Sequence, residues 1–203
     1  MFEIFKAAGW PIWFLLFASI ISMALIFERL YSLRHDKILP PGLLQQTLSQ
    51  FQIGQDNSSY LMTLERQSPL GQVLSAGLRH ATHSREVMLS SLEEAGCRVS
   101  HELSRYLTTI GTIAAVAPLM GLFGTVVGMI EIFGSQSANG VGADPVQLAH
   151  GISVALYNTG FGILIAIPSL IFWRYFRHNV DGFVVEMQHQ AMRLVEYIHD
   201  RMQ

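Results

Sequence analysis

The chain carries few charged residues for its length. Of its 203 residues, 14% are charged and 50% are hydrophobic, whereas a soluble domain usually has roughly 25% charged residues. The formal net charge is −2, which does not favour nucleic-acid binding. One cysteine, Cys97, cannot form an internal disulfide. Ser-His-Asp, CxxC and phosphate-loop patterns are missing, so we expect neither an enzyme nor a bound cofactor.

Charge is lacking altogether in the first of three apolar runs. Trp10 to Phe27 has no charged residue over 18 positions, and a membrane-spanning helix needs about 17–25 apolar residues. The second run, Leu107 to Phe133, has Glu131 near its end, and the third, Ile152 to Phe176, has Arg174 near its end. A cleaved signal peptide is the alternative for the first run, but its apolar part is usually about 7–15 residues. The pattern favours three transmembrane helices.

Basic residues lie almost entirely on one side of these helices. With the N-terminus outside, Lys6 is the only basic residue on the outer side, because the loop between the second and third runs has none. Basic residues near helix ends mark the cytoplasmic side. We therefore predict a multi-pass membrane protein with an outer N-terminus and a cytoplasmic C-terminus.

The expected fold class is an all-α membrane protein whose three transmembrane helices extend as long helices into a cytoplasmic helical bundle. Apolar residues recur at spacings of three or four from Met88 to Ile110 without a Gly-Pro break, which predicts one helix from Arg85 to Phe133. Asn179 to Gln203 repeats that pattern, and Asp144 and Pro145 are typical of a helix start. The predicted segments are 1–34 (N-terminal segment and first span), 35–105 (cytoplasmic helical loop), 106–133 (second span), 134–145 (periplasmic loop), 146–176 (third span) and 177–203 (cytoplasmic C-terminal helix).

Two histidines of the cytoplasmic loop, His80 and His83, have a spacing that could place both on one metal ion. A structural zinc site normally has three or four ligands. We therefore interpret the pair as surface histidines and expect no metal site.

Small and polar residues are concentrated in the second and third runs. Small side chains let helices approach closely in lipid, and the helix-packing candidates are Gly121, Gly124, Gly128 and Gly162. We expect Pro118 and Pro168 to kink their helices. Thr125, Thr159 and Asn158 are polar in apolar surroundings, so they either line a watery path or pack against neighbouring helices, and both interpretations remain open at this point.

Acidic side chains are missing from the middle of both runs. No carboxylate lies between Leu107 and Ile130 or between Gln147 and Phe176. A proton relay inside a membrane usually needs a titratable group. Either the chain conducts no protons, or a partner contributes the acid.

The segments APLMGLFGTVVGMIEIF (Ala117 to Phe133) and HGISVALYNTGFGILIAIPSLIFW (His150 to Trp173) resemble the ExbB/TolQ/MotA proton-channel family. The short chain with three spans is more similar to ExbB or TolQ than to four-helix MotA, and we favour ExbB. A departure from the family pattern is Val154, which occupies a position where relatives often have glutamate.

The resemblance implies a proton-channel subunit of the bacterial inner membrane, with a periplasmic N-terminus, that drives outer-membrane transport. It implies a homopentamer around a single-span ExbD- or TolR-like partner whose membrane aspartate carries the proton, with a TonB-like protein beyond. Thr125 and Thr159 correspond to threonines that line the family's proton path. A TolQ-like role in envelope constriction and a non-conducting membrane scaffold are the alternatives.

Overall fold

The computed structural model describes residues 10–51, 58–139 and 145–202, and every regular element in these ranges is a helix. In chain order the helices are α1 Pro11–Ser32, α2 His35–Ile38, α3 Leu43–Gln50, α4 Ser58–Gln67, α5 Pro69–Arg79, α6 Arg85–Leu103, α7 Leu107–Asn139 and α8 Pro145–Met202. The all-α prediction is confirmed. Asp144, the expected cap of the third span, lies outside the described residues.

Three of the described helices are long and apolar enough to cross a membrane. The candidate spans are Pro11–Ser32, Leu107–Gly134 and a part of Gly151–Asp200. These match the three apolar runs of the sequence. Helix α7 continues to Asn139 rather than ending at Phe133, so part of the expected loop 134–145 is helical.

The chain divides into two compact units, and the first contains the apolar helices. This membrane unit comprises Met1–Glu28 and Tyr106–Tyr175. Large apolar side chains point outwards from it: Trp13, Phe17, Leu119 and Leu164 are each more than 60% exposed. Its buried core is small and contains Leu15, Ala117 and Ala166. This arrangement suits a lipid surrounding, in which outward apolar groups carry no cost and close packing holds helices together.

The second unit, which comprises Arg29–Arg105 and Phe176–Gln203, is a helical bundle with an ordinary apolar core. The predicted stripe on α6 is buried at Met88, Leu92, Ala95, Val99 and Leu103, and the stripe on α8 is buried at Phe183, Met187, Ala191, Leu194 and Ile198. Ser68 and Ser84 cap α5 and α6 by accepting hydrogen bonds from Gly71 N and Val87 N. Both amphipathic patterns are therefore confirmed as core-facing.

The prediction of one continuous helix from Arg85 to Phe133 is wrong. Helix α6 ends at Leu103, and α7 begins at Leu107. Between them, the backbone of Tyr106 has a φ of 65°, a left-handed conformation that non-glycine residues seldom adopt. Tyr106 is also 37% exposed rather than part of the buried stripe. The left-handed residue ends the helical hydrogen-bond pattern without any proline or glycine.

Candidate functional site in the membrane hairpin

Helices α7 and α8 lie in close contact at three glycines. A Cβ added to Gly121 would lie 2.7 Å from the carbonyl oxygen of Asn158, and one added to Gly162 would lie 2.5 Å from that of Ala117. A Cβ on Gly124 would lie 2.8–2.9 Å from side-chain atoms of Asn158. Real Cβ contacts are longer than this, so only glycine fits at these positions.

The glycine faces are therefore used within one chain. Gly128 has a looser contact with Ala155, at 3.5 Å from its added Cβ, and both Ala155 and Ala166 are buried. These contacts hold α7 against α8. That the small-residue faces also join neighbouring copies stays a prediction.

The three polar candidates occupy different positions. Asn158 is only 1% exposed and lies against Gly124 inside the hairpin. Thr125 and Thr159 are half-buried, and the Thr125 hydroxyl donates to the carbonyl oxygen of Leu122 at 2.6 Å. Such a bond satisfies the hydroxyl proton within its own helix and leaves oxygen lone pairs available to accept. The two threonines could still contact water or a partner, whereas Asn158 is enclosed by its own chain.

Pro118 and Pro168 lie inside α7 and α8. Because proline has no N–H, the carbonyls of Ala114 and Leu164 lack their usual helical donors. Next to Pro168, the hydroxyl of Ser169 donates to the carbonyl of Ile165 at 2.8 Å. It also contacts the hydroxyl of Ser22 on α1 at 2.7 Å.

The serine pair was not anticipated from the sequence. Ser22 and Ser169 are 3% and 1% exposed, respectively, and they join the first span to the third. A serine in the middle of each of two apolar runs was the available signal, since polar groups in lipid require partners. Beside the pair, α1 and α8 enclose a mainly apolar cavity of about 400 Å³.

At the other end of the hairpin, a Cβ on Gly111 would lie 2.8 Å from Nε1 of Trp173. The indole therefore packs directly on the α7 backbone.

In the second unit, Arg29 is 5% exposed and donates to the carbonyl oxygen of Leu103 at 3.3 Å. That carbonyl lies at the C-terminal end of α6, where a positive charge is favourable.

No cluster of three or more potential metal ligands occurs among the described residues. His80 and His83 have ring centroids 5.3 Å apart, so they form a contacting pair without a third ligand. The expectation that they are not a metal site stays a prediction.

Glu131 is exposed near the far end of α7, and Val154 lies on α8.

Three apolar helices, two of them joined in a glycine-packed hairpin, define an all-α membrane protein. The sequence profile of the MotA/TolQ/ExbB proton channel family matches residues 65–189, which include the hairpin. The chain belongs to this family, which is a transport and channel family.

Similar proteins carry the ExbB name. An ExbB homolog of Methanothermobacter thermautotrophicus is 26% identical over 187 residues, covering 92% of this chain and 66% of the relative. Biopolymer transport protein exbB1 of Vibrio cholerae is 34% identical over 44% of this chain and 39% of the relative. An ExbB-like protein of Synechocystis is 28% identical over 78% of this chain and 76% of the relative. The chain thus spans less than two thirds of the length of the first two relatives.

Proposed function

We propose that the chain is the channel-forming subunit of an inner-membrane motor that uses the proton motive force to drive transport across the outer membrane. The family match over the hairpin supports this role, as do the relatives with ExbB names. In this proposal the N-terminus is periplasmic and the C-terminus cytoplasmic.

The observation that carries the mechanism is the lack of acid in the hairpin. No carboxylate occurs between Leu107 and Ile130 or between Gln147 and Phe176, and hydroxyls and amides do not titrate near neutral pH. Glu131 is close to the end of its span. A partner must therefore contribute the titratable group, and we propose an ExbD-like single-span protein with a membrane aspartate, acting with a TonB-like protein.

In the proposed assembly, a homopentamer of this chain surrounds the partner. Thr125 and Thr159 line the path and hold water or the partner's acid through their oxygen lone pairs. Asn158 has a different role here, because it packs on Gly124 inside the chain. It holds the α7–α8 geometry that places the two threonines.

Proton flux into liposomes tests the proposal. The chain alone should hold a pH gradient, and the chain with its partner should dissipate it or perform work. Replacing the partner's membrane aspartate by asparagine should abolish the flux, because asparagine keeps the shape but cannot carry the proton. Robust flux through the chain alone would contradict the proposed division of roles.

Two other functions differ from this one in the partner or in proton conduction. A TolQ-like subunit for envelope constriction would conduct protons in the same way but with a TolR-like partner. A non-conducting scaffold would bind its partner and leave the gradient intact. The scaffold is favoured by the lack of a carboxylate in the middle of the hairpin helices and by the Thr125 hydroxyl that donates to its own helix.

A further inference from the structure

Buried apolar residues continue in register across the break between α6 and α7. Val99 and Leu103 on α6 and Leu107 and Ile110 on α7 follow one another at spacings of four, four and three residues, and each is at most 8% exposed. Such spacing is typical of one helix with one buried face. The residues between the two helices, 104–106, include neither glycine nor proline. The sequence therefore favours a continuous helix, whereas the structure has two.

The backbone of the break is unfavourable in itself. Tyr106 has a φ of 65°, and in this left-handed region the Cβ of an L-residue lies too close to the following carbonyl oxygen. Bulky residues are seldom found there. On the α6 side, the N–H of Arg105 donates to the carbonyl of Glu102 at 3.2 Å, a bond of the 3₁₀ type that tightens the last turn. Because neither the residue pattern nor the backbone favours the break, another contact must stabilise it.

Arg29, in the last turn of α1, makes such a contact. It is 5% exposed, and its guanidinium donates to the carbonyl oxygen of Leu103 at 3.3 Å. A buried charge requires acceptors, and the C-terminal end of a helix offers carbonyls without helical donors together with a partial negative charge. In a continuous helix, the Leu103 carbonyl would instead accept the N–H of Leu107. The break therefore creates the acceptor that Arg29 uses, and Arg29 in turn stabilises the break.

We propose that residues 104–106 form a two-state joint, the α6–α7 joint, and that Arg29 is the latch that holds it broken. In the second state, Tyr106 takes the right-handed helical conformation and α6 continues into α7. The boundary between the two compact units falls between Arg105 and Tyr106 on this segment. The state of the joint therefore decides whether the chain passes from one unit to the other as one helix or as two.

Nuclear magnetic resonance of the full chain in detergent micelles tests this proposal. A tyrosine directly precedes a leucine at only two places, Tyr60–Leu61 and Tyr106–Leu107. Labelling with ¹³C-tyrosine and ¹⁵N-leucine therefore gives two correlated signals, and the Cα chemical shift of each tyrosine reports its backbone conformation. Tyr60 lies inside α4 and is the internal helical reference. The wild type should give a major left-handed and a minor helical signal for Tyr106.

Two variants of the latch separate its charge from its presence. Arg29→Gln removes the charge and keeps a donor, so the ratio of helical to left-handed Tyr106 should rise about tenfold, as expected for losing a partly buried charge at a helix end. Arg29→Lys keeps the charge and should stay close to the wild-type ratio, with the Tyr60 signal unchanged in both. An unchanged ratio in Arg29→Gln would overturn the proposal. So would a broadened Tyr106 signal without a helical one, or an equal rise in Arg29→Lys.

A second pair of variants leaves Arg29 in place. Ser104 lies in the joint and Ser100 within α6, so the higher helix propensity of alanine favours the continuous state at position 104 but acts on both states at position 100. Ser104→Ala should raise the ratio of helical to left-handed Tyr106 about twofold, and Ser100→Ala should leave it unchanged. This pair decides the matter if Arg29→Gln fails to fold, since equal ratios in the two serine variants would contradict a two-state joint.

Discussion

At the scale of single residues, the α7–α8 contact distinguishes two glycines of the same helix. A Cβ on Gly162 would lie 2.5 Å from the backbone oxygen of Ala117, whereas a Cβ on Gly160 meets no atom within 4 Å. Alanine raises helix propensity equally at both sites, so the difference between the variants measures the contact alone. Comparing the two alanine variants therefore separates the effect of the α7–α8 contact from the effect of glycine flexibility within the helix.

We expect Gly162→Ala to destabilise the membrane unit by about 1–3 kcal/mol, the usual range for overpacking. Gly160→Ala should be neutral or slightly stabilising, because glycine in a helix costs about 1 kcal/mol relative to alanine. Unfolding of the purified protein in detergent measures both. Equal effects of the two variants on the free energy of unfolding would show that the close contact at Gly162 does not restrict the hairpin.

The threonines give a second prediction at this scale. Valine keeps the shape of threonine but removes the hydroxyl, so Thr125→Val and Thr159→Val isolate polarity from packing. If the hydroxyls line the proton path, flux with the partner should fall by up to about tenfold for each, since a hydrogen bond is worth about 0.5–1.5 kcal/mol. The assembly, followed by size-exclusion chromatography, should be unchanged. Full flux in both variants would assign the threonines to packing.

At the scale of helices, the pair formed by Ser22 and Ser169 joins α1 to α8. Their hydroxyls are 2.7 Å apart, and Ser169 also donates to Ile165, so Ser22 is the donor within the pair. Hydrogen bonds between membrane helices are worth about 0.6 kcal/mol on average and up to about 1.7.

A double-mutant cycle with Ser22→Ala and Ser169→Ala measures the coupling between these helices. We expect a coupling energy of about 0.5–1.5 kcal/mol in the free energy of unfolding. Thr112→Ala serves as a control, because its hydroxyl donates only to Thr108 on its own helix. A coupling energy near zero would mean that α1 is held by apolar contacts alone.

The sequence was most informative where periodicity and composition act over many residues. The three spans, the buried stripe of α6 and the amphipathic end of α8 were all predictable, because each requires a repeated pattern of apolar residues. The break before α7 was not, since Tyr106 takes a left-handed backbone without the usual glycine. Which partner the glycine faces would meet was equally unpredictable, because a small-residue face suits a neighbouring helix of the same chain or of another copy.

At the scale of the whole molecule, the two units place their apolar residues in opposite ways. The membrane unit exposes large side chains such as Phe17 and Leu119, whereas the bundle buries Leu70, Leu74 and Leu194 almost completely. The membrane unit is suited to lipid and the bundle to water, and these two solvents account for the difference. Helices α1 and α8 each contribute residues to both units.

The proposed orientation predicts which side of the membrane the only cysteine faces. Cys97 is exposed on α6 in the bundle unit, and in the proposed orientation that unit is cytoplasmic. A membrane-impermeant maleimide should therefore leave Cys97 unmodified in intact spheroplasts and label it after permeabilisation. The matched variant, Cys97→Ser with Gly134→Cys, places an exposed thiol towards the end of α7. It should be labelled from outside without permeabilisation. Labelling of Cys97 in intact spheroplasts, with protection of the thiol at position 134, would reverse the proposed orientation.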